Sequence, residues 1–141
     1  MTDGHAQVNA VLSMPMVPVV IVGHEDGHLR VYANNQCKSH RLLTRVELMV
    51  ASTKPKNTIL AHPSPITSLS LSPSSPTHIL TSSTDCTVRL WDLDKETSIQ
   101  ELGGHRKRSD EGVCAVTSHP EQPVIASAGA DGVVRLWAAA A

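Results

Sequence analysis

The feature that most constrains the fold is a seven-residue pattern that occurs three times. Each copy reads Asp, two turn residues, an apolar residue, Arg, a second apolar residue and an aromatic residue. The copies are Asp26–Tyr32, Asp85–Trp91 and Asp131–Trp137. Their aspartates are 59 and then 46 residues apart. A recurrence of this length indicates stacked supersecondary units, none of which can bury its apolar face alone.

A histidine precedes each copy at a similar distance. His5, His62 and His105 lie 21, 23 and 26 residues before the corresponding aspartate. Four-stranded propeller blades repeat every ~40–45 residues, with Gly-His early and Trp-Asp late. The chain therefore resembles the WD40-repeat family over residues 4–137. The resemblance implies an all-β fold: a partial WD40 β-propeller of about three four-stranded antiparallel blades. Closed propellers have about 4–8 blades, so the ring is expected to be incomplete and the chain a piece of one.

The units follow from strand and turn signals. They are blade 4–35, an insertion loop 36–57, blade 58–103, blade 104–137 and a tail 138–141. The insertion accounts for the longer first interval, and we expect it to be the most mobile interior segment, with a short helix possible at 42–49. Residues 58–61 are also compatible with the outer strand of the first blade. The third blade shows three strand signals, and a fourth would have to come from elsewhere.

Composition narrows the class of protein. Hydrophobic residues make up 40% and charged residues 18%, and the net charge is −1. We therefore expect a globular domain with no nucleic-acid partner, no membrane insertion and no cofactor. The N-terminus does not have a signal-peptide pattern. Three widely spaced cysteines, Cys37, Cys86 and Cys114, favour reduced thiols, as in the cytosol or the nucleus. We expect a cytoplasmic location.

The third unit narrows the resemblance to the end of striatins. The residues that carry it are Gln100–Leu102, Gly104–Arg108, Asp110-Glu111, His119-Pro120 and Ile125–Asp131. The resemblance implies a scaffold that regulates protein phosphatase 2A and organises a phosphatase and kinase assembly with germinal-centre-type kinases and Mob-like proteins. The phosphatase-binding coiled coil, the caveolin-binding motif and the calmodulin-binding segment of striatins lie before the propeller, and their motifs are not in this chain. The alternatives are a generic WD40 scaffold of another complex and a truncated product without independent function.

Two sets of polar residues invite a catalytic interpretation. They are His62, Ser83 (or Ser82), Asp85 and Trp91, and His105, Ser127, Asp131 and Trp137. Ser, His and Asp together suggest a hydrolase, but a Gly-x-Ser-x-Gly elbow is missing from the sequence. The WD40 resemblance instead implies a hydrogen-bonded network that ties strands to a turn. We therefore expect no catalytic residue, and a weaker network in the first unit, which lacks Trp and an obvious hydroxyl.

Charged and metal-ligating residues give one further candidate site. His24 and His28 are four residues apart but flank a turn, and no Cys-x-x-Cys or His-Glu-x-x-His occurs, so no metal is expected. The run Arg106, Lys107 and Arg108 is a candidate partner-binding loop. A solvated loop, offset by the following Asp110-Glu111, is the competing interpretation.

Three further expectations follow from the repeats. Ser109, after three basic residues, is a plausible phosphorylation site. The recurring arginines Arg30, Arg89 and Arg135 suggest a structural or rim role with paired aspartates. The outer faces of the first and third units, through Val19–Val22 and through Val133, Val134 and Leu136, predict self-association.

Overall fold

The computed structural model describes residues 6–14, 19–33, 57–72, 75 and 77–139. All regular elements within these ranges are β-strands. They form three antiparallel sheets, in which strands that follow each other in sequence are hydrogen-bonded neighbours. The predicted class, a partial propeller of about three antiparallel blades with an incomplete ring, is thereby confirmed.

The strands are short and nearly equal in length. The first sheet contains β1 (Val8–Ser13), β2 (Val19–His24), β3 (His28–Ala33) and β4 (Asn57–Leu60). The second contains β5 (Ile66–Leu71), β6 (His78–Ser83), β7 (Thr87–Asp92) and β8 (Thr97–Gly103). The third contains β9 (Val113–Ser118), β10 (Val124–Gly129) and β11 (Val134–Ala138). Its three described strands match the three strand signals of the sequence.

The strand β4 changes one predicted boundary. The sequence began the second blade at residue 58 but left 58–61 also compatible with the outer strand of the first blade. In the structure residues 58–60 pair with the first sheet, with Ile59 opposite Leu29. Ile59 is buried where the first sheet packs against the second, so this pairing removes apolar surface from water. Local periodicity identifies a strand but not its partner, which here lies across a long stretch of sequence. The insertion 36–57, with its predicted mobility and helix, lies outside the described residues except for Asn57.

Apolar side chains fill both spaces between neighbouring sheets. Between the first and second sheets the buried residues are Met14, Ile21, Leu29, Val31, Ile59, Ala61, Ile66, Ile79 and Trp91. Between the second and third they are Leu80, Val88, Leu90, Leu102, Val113, Val116 and Ile125. The second sheet is therefore covered on both faces. Along its two central strands neighbouring residues are buried on opposite faces, as Ile79 and Leu80 of β6 show.

The third sheet has one covered face and one open face. Val134 and Leu136 lie three and five residues after the repeat's aspartate, as Val88 and Leu90 do in the second sheet. Val88 and Leu90 are fully buried, whereas Val134 is 70% and Leu136 72% exposed. These two residues form what we call the open face of the third sheet. Val133, which the sequence placed on the same face, lies just before β11 and is 40% exposed. Equivalent sequence positions thus differ in burial because, among the described residues, no further sheet packs on the face of the third sheet that points away from the second sheet.

The open face of the first sheet is not where the sequence placed it. Val19–Val22 was expected to supply it, but Ile21 of this run is fully buried against the second sheet. The large apolar side chains exposed on this sheet include Val8 and Val11, both on β1. Successive residues of a strand point to opposite faces, so a continuous apolar run cannot all lie on one face.

The residue after each repeat aspartate has a positive φ. Gly27, Cys86 and Gly132 follow the three aspartates and have φ values of 85°, 72° and 78°. Glycine adopts positive φ without steric cost, whereas a side chain adds strain of about 1–2 kcal/mol. Cys86 is thus a cysteine at a position that two repeats give to glycine.

We expect Cys86→Gly to raise the free energy of unfolding by about 0.5–1 kcal/mol, because relief of the positive-φ strain exceeds the entropy that glycine adds to the unfolded chain. Urea denaturation followed by circular dichroism measures it. Gly132→Ala is the matched control and should destabilise by about 1 kcal/mol, because φ is 78° while nothing lies within 4 Å of the added Cβ. A lower urea midpoint for Cys86→Gly would contradict the assignment of strain.

Candidate functional site

Four side chains of the second repeat form a hydrogen-bonded network in the order Asp85, His62, Thr81 and Trp91. This histidine follows β4 and is 1% exposed. Its Nδ1 lies 2.9 Å from Asp85 Oδ2, and its Nε2 lies 2.7 Å from Thr81 Oγ1. The indole N–H of Trp91 donates to the same Thr81 oxygen at 3.2 Å. The network therefore connects four parts of the sheet: the loop before β5, strand β6, the turn that follows it and strand β7.

The chemistry of the partners fixes the proton positions. A carboxylate only accepts, so His62 Nδ1 carries a proton and donates it to Asp85. In the neutral ring Nε2 accepts the Thr81 hydroxyl proton, and the Thr81 oxygen accepts the indole N–H of Trp91. Each of these polar groups has a partner, which is what burial requires. The network is consistent as a structural tie.

The bridging hydroxyl belongs to Thr81, which corrects the sequence prediction of Ser83. Ser83 Oγ donates to the Pro65 carbonyl at 2.8 Å and accepts the Asp85 backbone N–H at 3.2 Å. The alternative, Ser82, lies 2.8 Å from Thr67 Oγ1 instead. One signal could have found the right residue. In both complete repeats the hydroxyl lies four residues before the aspartate and ten before the tryptophan, an offset that a search for serine alone misses.

In the third sheet the geometry brings together the four residues named from the sequence. His105 Nδ1 is 3.1 Å from both oxygens of Asp131, and its Nε2 is 2.7 Å from Ser127 Oγ. The indole N–H of Trp137 donates to Ser127 at 3.0 Å. Trp137 is only part-buried, whereas Trp91 is 6% exposed. The difference follows from β11 having no described neighbour strand on its outer side.

The first sheet holds its turn carboxylate differently. Arg30 Nη2 lies 3.0 Å from Asp26 Oδ2, and the backbone N–H of His28 donates to Asp26 Oδ1 at 3.0 Å. Arg30 thus has the aspartate partner that was expected of all three repeat arginines. Arg89 does not: it donates to the Ala61 carbonyl and lies 3.6 Å from a carboxylate oxygen of Glu101 on β8. His5, the predicted histidine of this unit, lies outside the described residues.

The turn aspartates are strongly acidic. Burial raises the pKa of Asp85, but hydrogen bonds from His62 and Thr87 outweigh it and lower the pKa from 3.8 to about 2. The pKa of Asp131 also falls to about 2, chiefly because the backbone N–H of Arg106 donates to its carboxylate. Both groups are therefore ionised throughout the physiological range and act as fixed acceptors.

The lowered pKa of Asp85 predicts a defined acid sensitivity. Its folded pKa of about 2 lies below the ordinary value of 3.8, so its stabilisation is complete above 3.8 and is lost as the pH falls through about 2. After allowance for solvent screening this contribution is about 1 kcal/mol. The stability gap between wild type and Asp85→Asn, from urea melts, should therefore narrow by about 1 kcal/mol between pH 6 and pH 2. An unchanged gap would contradict the ionised role of Asp85.

The arrangement does not offer a reaction site. The Thr81 hydroxyl is fully buried and engaged by both His62 and Trp91, so a substrate carbonyl has no approach to it. Among residues of the described ranges, no group of three or more His, Cys, Asp or Glu is arranged to hold a metal ion. A helix with the length and hydropathy of a bilayer span does not occur in these ranges either.

The second candidate site is a short hairpin between β8 and β9. Residues 106–111, which we call the basic hairpin, close through backbone hydrogen bonds of 2.9 Å and 3.0 Å between Arg108 and Glu111. The side chains of Arg106, Lys107 and Arg108 are all exposed. The connection that contains the hairpin spans residues 104–112, whereas the corresponding connection before β5 spans only residues 61–65. The hairpin is thus an addition to the repeat.

Both ends of the basic hairpin are fixed to the body of the protein. At one end the Arg106 backbone N–H donates to Asp131 Oδ2 at 3.0 Å. At the other, the Gly112 carbonyl accepts from Ala130 N at 2.8 Å. A Cβ on Gly112 would lie 2.5 Å from the Thr84 carbonyl oxygen, so this residue must be glycine for the turn after β6 to pack so closely. The hairpin therefore has a rigid base and an exposed tip.

Comparisons with known proteins agree with the geometry. A family model described as "WD domain, G-beta repeat" matches residues 53–92 and 96–138. Human striatin is 35% identical over 135 residues, which is 96% of this chain and 15% of that protein. Bovine striatin-3 is 36% identical over 130 residues, 92% of this chain and 14% of the relative. Human striatin-4 is 33% identical over 136 residues, 96% of this chain and 16% of the relative. The chain spans about 15% of the length of these relatives.

Proposed function

Because the chain belongs to the WD40-repeat family, we propose that it is a non-catalytic protein-interaction module and a piece of a striatin-like scaffold. The observation that carries this proposal is the division between an internal and an external set of polar residues. The recurrent His, Asp, hydroxyl and Trp groups are satisfied inside the sheets, whereas the basic hairpin is an exposed addition to the repeat. Recurrent residues build the frame, and the variable rim is left to bind partners.

The basic hairpin is the surface that we assign to docking. Three adjacent cations on a rigid base favour a partner with an acidic surface. Asp110 within the turn and Glu111 opposite Arg108 offset part of this charge, which leaves one net positive charge. The striatin-type assembly of protein phosphatase 2A, germinal-centre-type kinases and Mob-like proteins is the partner set that we propose, in the cytoplasm. The likeness to striatins over most of the chain supports this choice.

A charge-reversal variant tests the docking surface. With Arg106→Glu, Lys107→Glu and Arg108→Glu combined, binding to purified Mob-like or kinase components should weaken about tenfold or more at low salt, with the difference shrinking as salt rises. The backbone N–H of Arg106, and hence its bond to Asp131, is retained. Lys95→Glu is the matched control, because the turn after β7 lies on the opposite rim. Equal binding by both variants would refute a docking role for the hairpin.

We also propose self-association through the open faces. The sheet-on-sheet contacts of the first with the second and of the second with the third bury equivalent positions. A second copy that placed its first sheet on the open face of the third sheet would continue the same stacking and bury Val134 and Leu136. Each Å² of apolar surface removed from water contributes about 25 cal/mol. The partner surface on the second copy would include Val8 and Val11.

Light scattering at micromolar concentration tests this association. The wild-type chain should have a mass above that of the monomer, and Val134→Lys combined with Leu136→Lys should restore the monomer, because a charged face cannot be buried without a partner. Ile99→Lys, an exposed position on β8, is the control and should leave the mass unchanged. A monomeric wild type would overturn the proposal.

A further inference from the structure

We propose that Ser109 is a phosphorylation site for an arginine-directed serine kinase, and that its phosphate reverses the charge of the basic hairpin. The first part rests on the geometry and sequence of the hairpin alone. The second deepens the docking role of the hairpin and therefore rests on the proposed function.

Ser109 is at the tip of the hairpin. Ser109 and Asp110 are the two central residues of the turn, with φ values of 53° and 67°. Positive φ at both central positions is the signature of a type I′ turn. Arg108 and Glu111 exchange the backbone hydrogen bonds that close it, and the side chain of Ser109 is exposed. The hydroxyl is therefore directed away from the sheets, where an enzyme can reach it.

The hairpin is also easy to open. Two residues with side chains hold the left-handed conformation that glycine normally supplies, and this stores strain. Among the described residues, the backbone hydrogen bonds that close the tip are the pair between Arg108 and Glu111. Opening into the extended form that a kinase cleft accepts would therefore relieve strain and expose no apolar core. The anchors at Arg106 N–H and Gly112 can persist while the tip opens.

The local sequence supplies the recognition elements. Arg106 lies three residues before Ser109, and Lys107 and Arg108 fill the positions between, all with exposed side chains. An acidic kinase cleft pairs with guanidinium groups at such positions by bidentate hydrogen bonds. Ser98 provides a contrast within the same region: it is exposed, but it lies in β8 and pairs with Trp91.

The transfer is a simple displacement on phosphorus. Ser109 Oγ attacks the γ-phosphorus of magnesium-bound ATP and a new O–P bond forms. The bond between that phosphorus and the β,γ-bridging oxygen breaks, and its electron pair leaves with ADP. The hydroxyl proton passes to the kinase's catalytic base and then to solvent. ATP is the only co-reactant.

The phosphate would change the sign of the hairpin. The hairpin contains three positive side chains, Arg106, Lys107 and Arg108, and two negative ones, Asp110 and Glu111. Its net charge is therefore +1. A phosphate group adds about −1.5 to −2 near neutral pH, so the net charge becomes negative. Its oxygens would also pair with the neighbouring arginines and withdraw them from a partner. An acidic partner that docks on the unmodified hairpin would be repelled by the modified one.

The test uses the whole chain, magnesium ATP and the catalytic subunit of cyclic-AMP-dependent protein kinase, an arginine-directed enzyme. Incorporation should approach about one phosphate per chain and map to Ser109 by mass spectrometry. Ser109→Ala should abolish phosphate incorporation. Arg106→Gln should slow the rate of incorporation about tenfold, because it removes the guanidinium while keeping the backbone N–H. Ser98→Ala is the matched control and should leave it unchanged.

Incorporation that survives Ser109→Ala, or a chain that is not modified while a basic control peptide is, would overturn the assignment. The charge reversal has a separate readout. Binding of a polyglutamate peptide at low salt should weaken about tenfold on phosphorylation. If Ser109 is modified but peptide binding does not change, the phosphorylation site is supported and its effect on docking is refuted. Failure of the unmodified chain to bind the peptide would count against the docking role itself.

Discussion

Trp91→Ala is expected to lower the free energy of unfolding by about 3–5 kcal/mol, the largest loss from any single substitution considered for this chain. Trp91 is 6% exposed and packs with Ile66 and Ile79 between the first and second sheets. Its removal leaves a cavity and deprives the Thr81 oxygen of a donor. Urea denaturation followed by far-ultraviolet circular dichroism measures the loss, since this signal does not depend on the tryptophan itself.

Two matched variants separate the causes of that loss. Trp91→Phe keeps most of the packing but removes the N–H, and should cost about 1 kcal/mol. Trp137→Ala removes the equivalent ring from the third sheet and should cost clearly less than Trp91→Ala, because Trp137 is only part-buried. Equal losses for the two alanine variants would show that the third sheet is covered as fully as the second, contrary to the structure.

His62→Ala is expected to be the second most damaging change, at about 2–4 kcal/mol. The imidazole holds the carboxylate of Asp85 and the hydroxyl of Thr81, and the hydroxyl is fully buried. Without the ring the buried hydroxyl of Thr81 loses its acceptor and Asp85 loses a donor, so both bear the cost of an unmade hydrogen bond. Thermal and urea melts at neutral pH provide the measurement.

A double-mutant cycle identifies the hydroxyl that His62 uses. His62→Ala and Thr81→Val should be non-additive by about 1 kcal/mol or more, because the two residues share one hydrogen bond. His62→Ala combined with Ser82→Ala is the control and should be nearly additive, since Ser82 bonds to Thr67 instead. Coupling to Ser82 but not to Thr81 would contradict the network.

The amino-acid sequence by itself determined the class of fold and most of the network. The repeat of Asp, Arg and an aromatic residue, with a histidine before each copy, fixed the number of units and the positions of their strands. It also grouped His105, Ser127, Asp131 and Trp137, which the structure places within hydrogen-bonding distance of one another. These features are local, because a strand's alternation and a turn's residue types follow from backbone geometry within a few residues.

Only the tertiary structure decided which segments pair and which faces are covered. It decided between the two sheets that the sequence left open for residues 58–60, in favour of the first. It also buried Val88 while exposing Val134, although the two occupy the same place in their repeats. The offset shared with Ser127 could have identified Thr81 from the sequence, but strand pairing and burial depend on which atoms meet across long stretches of sequence. A residue's own type and its neighbours along the chain do not contain that information.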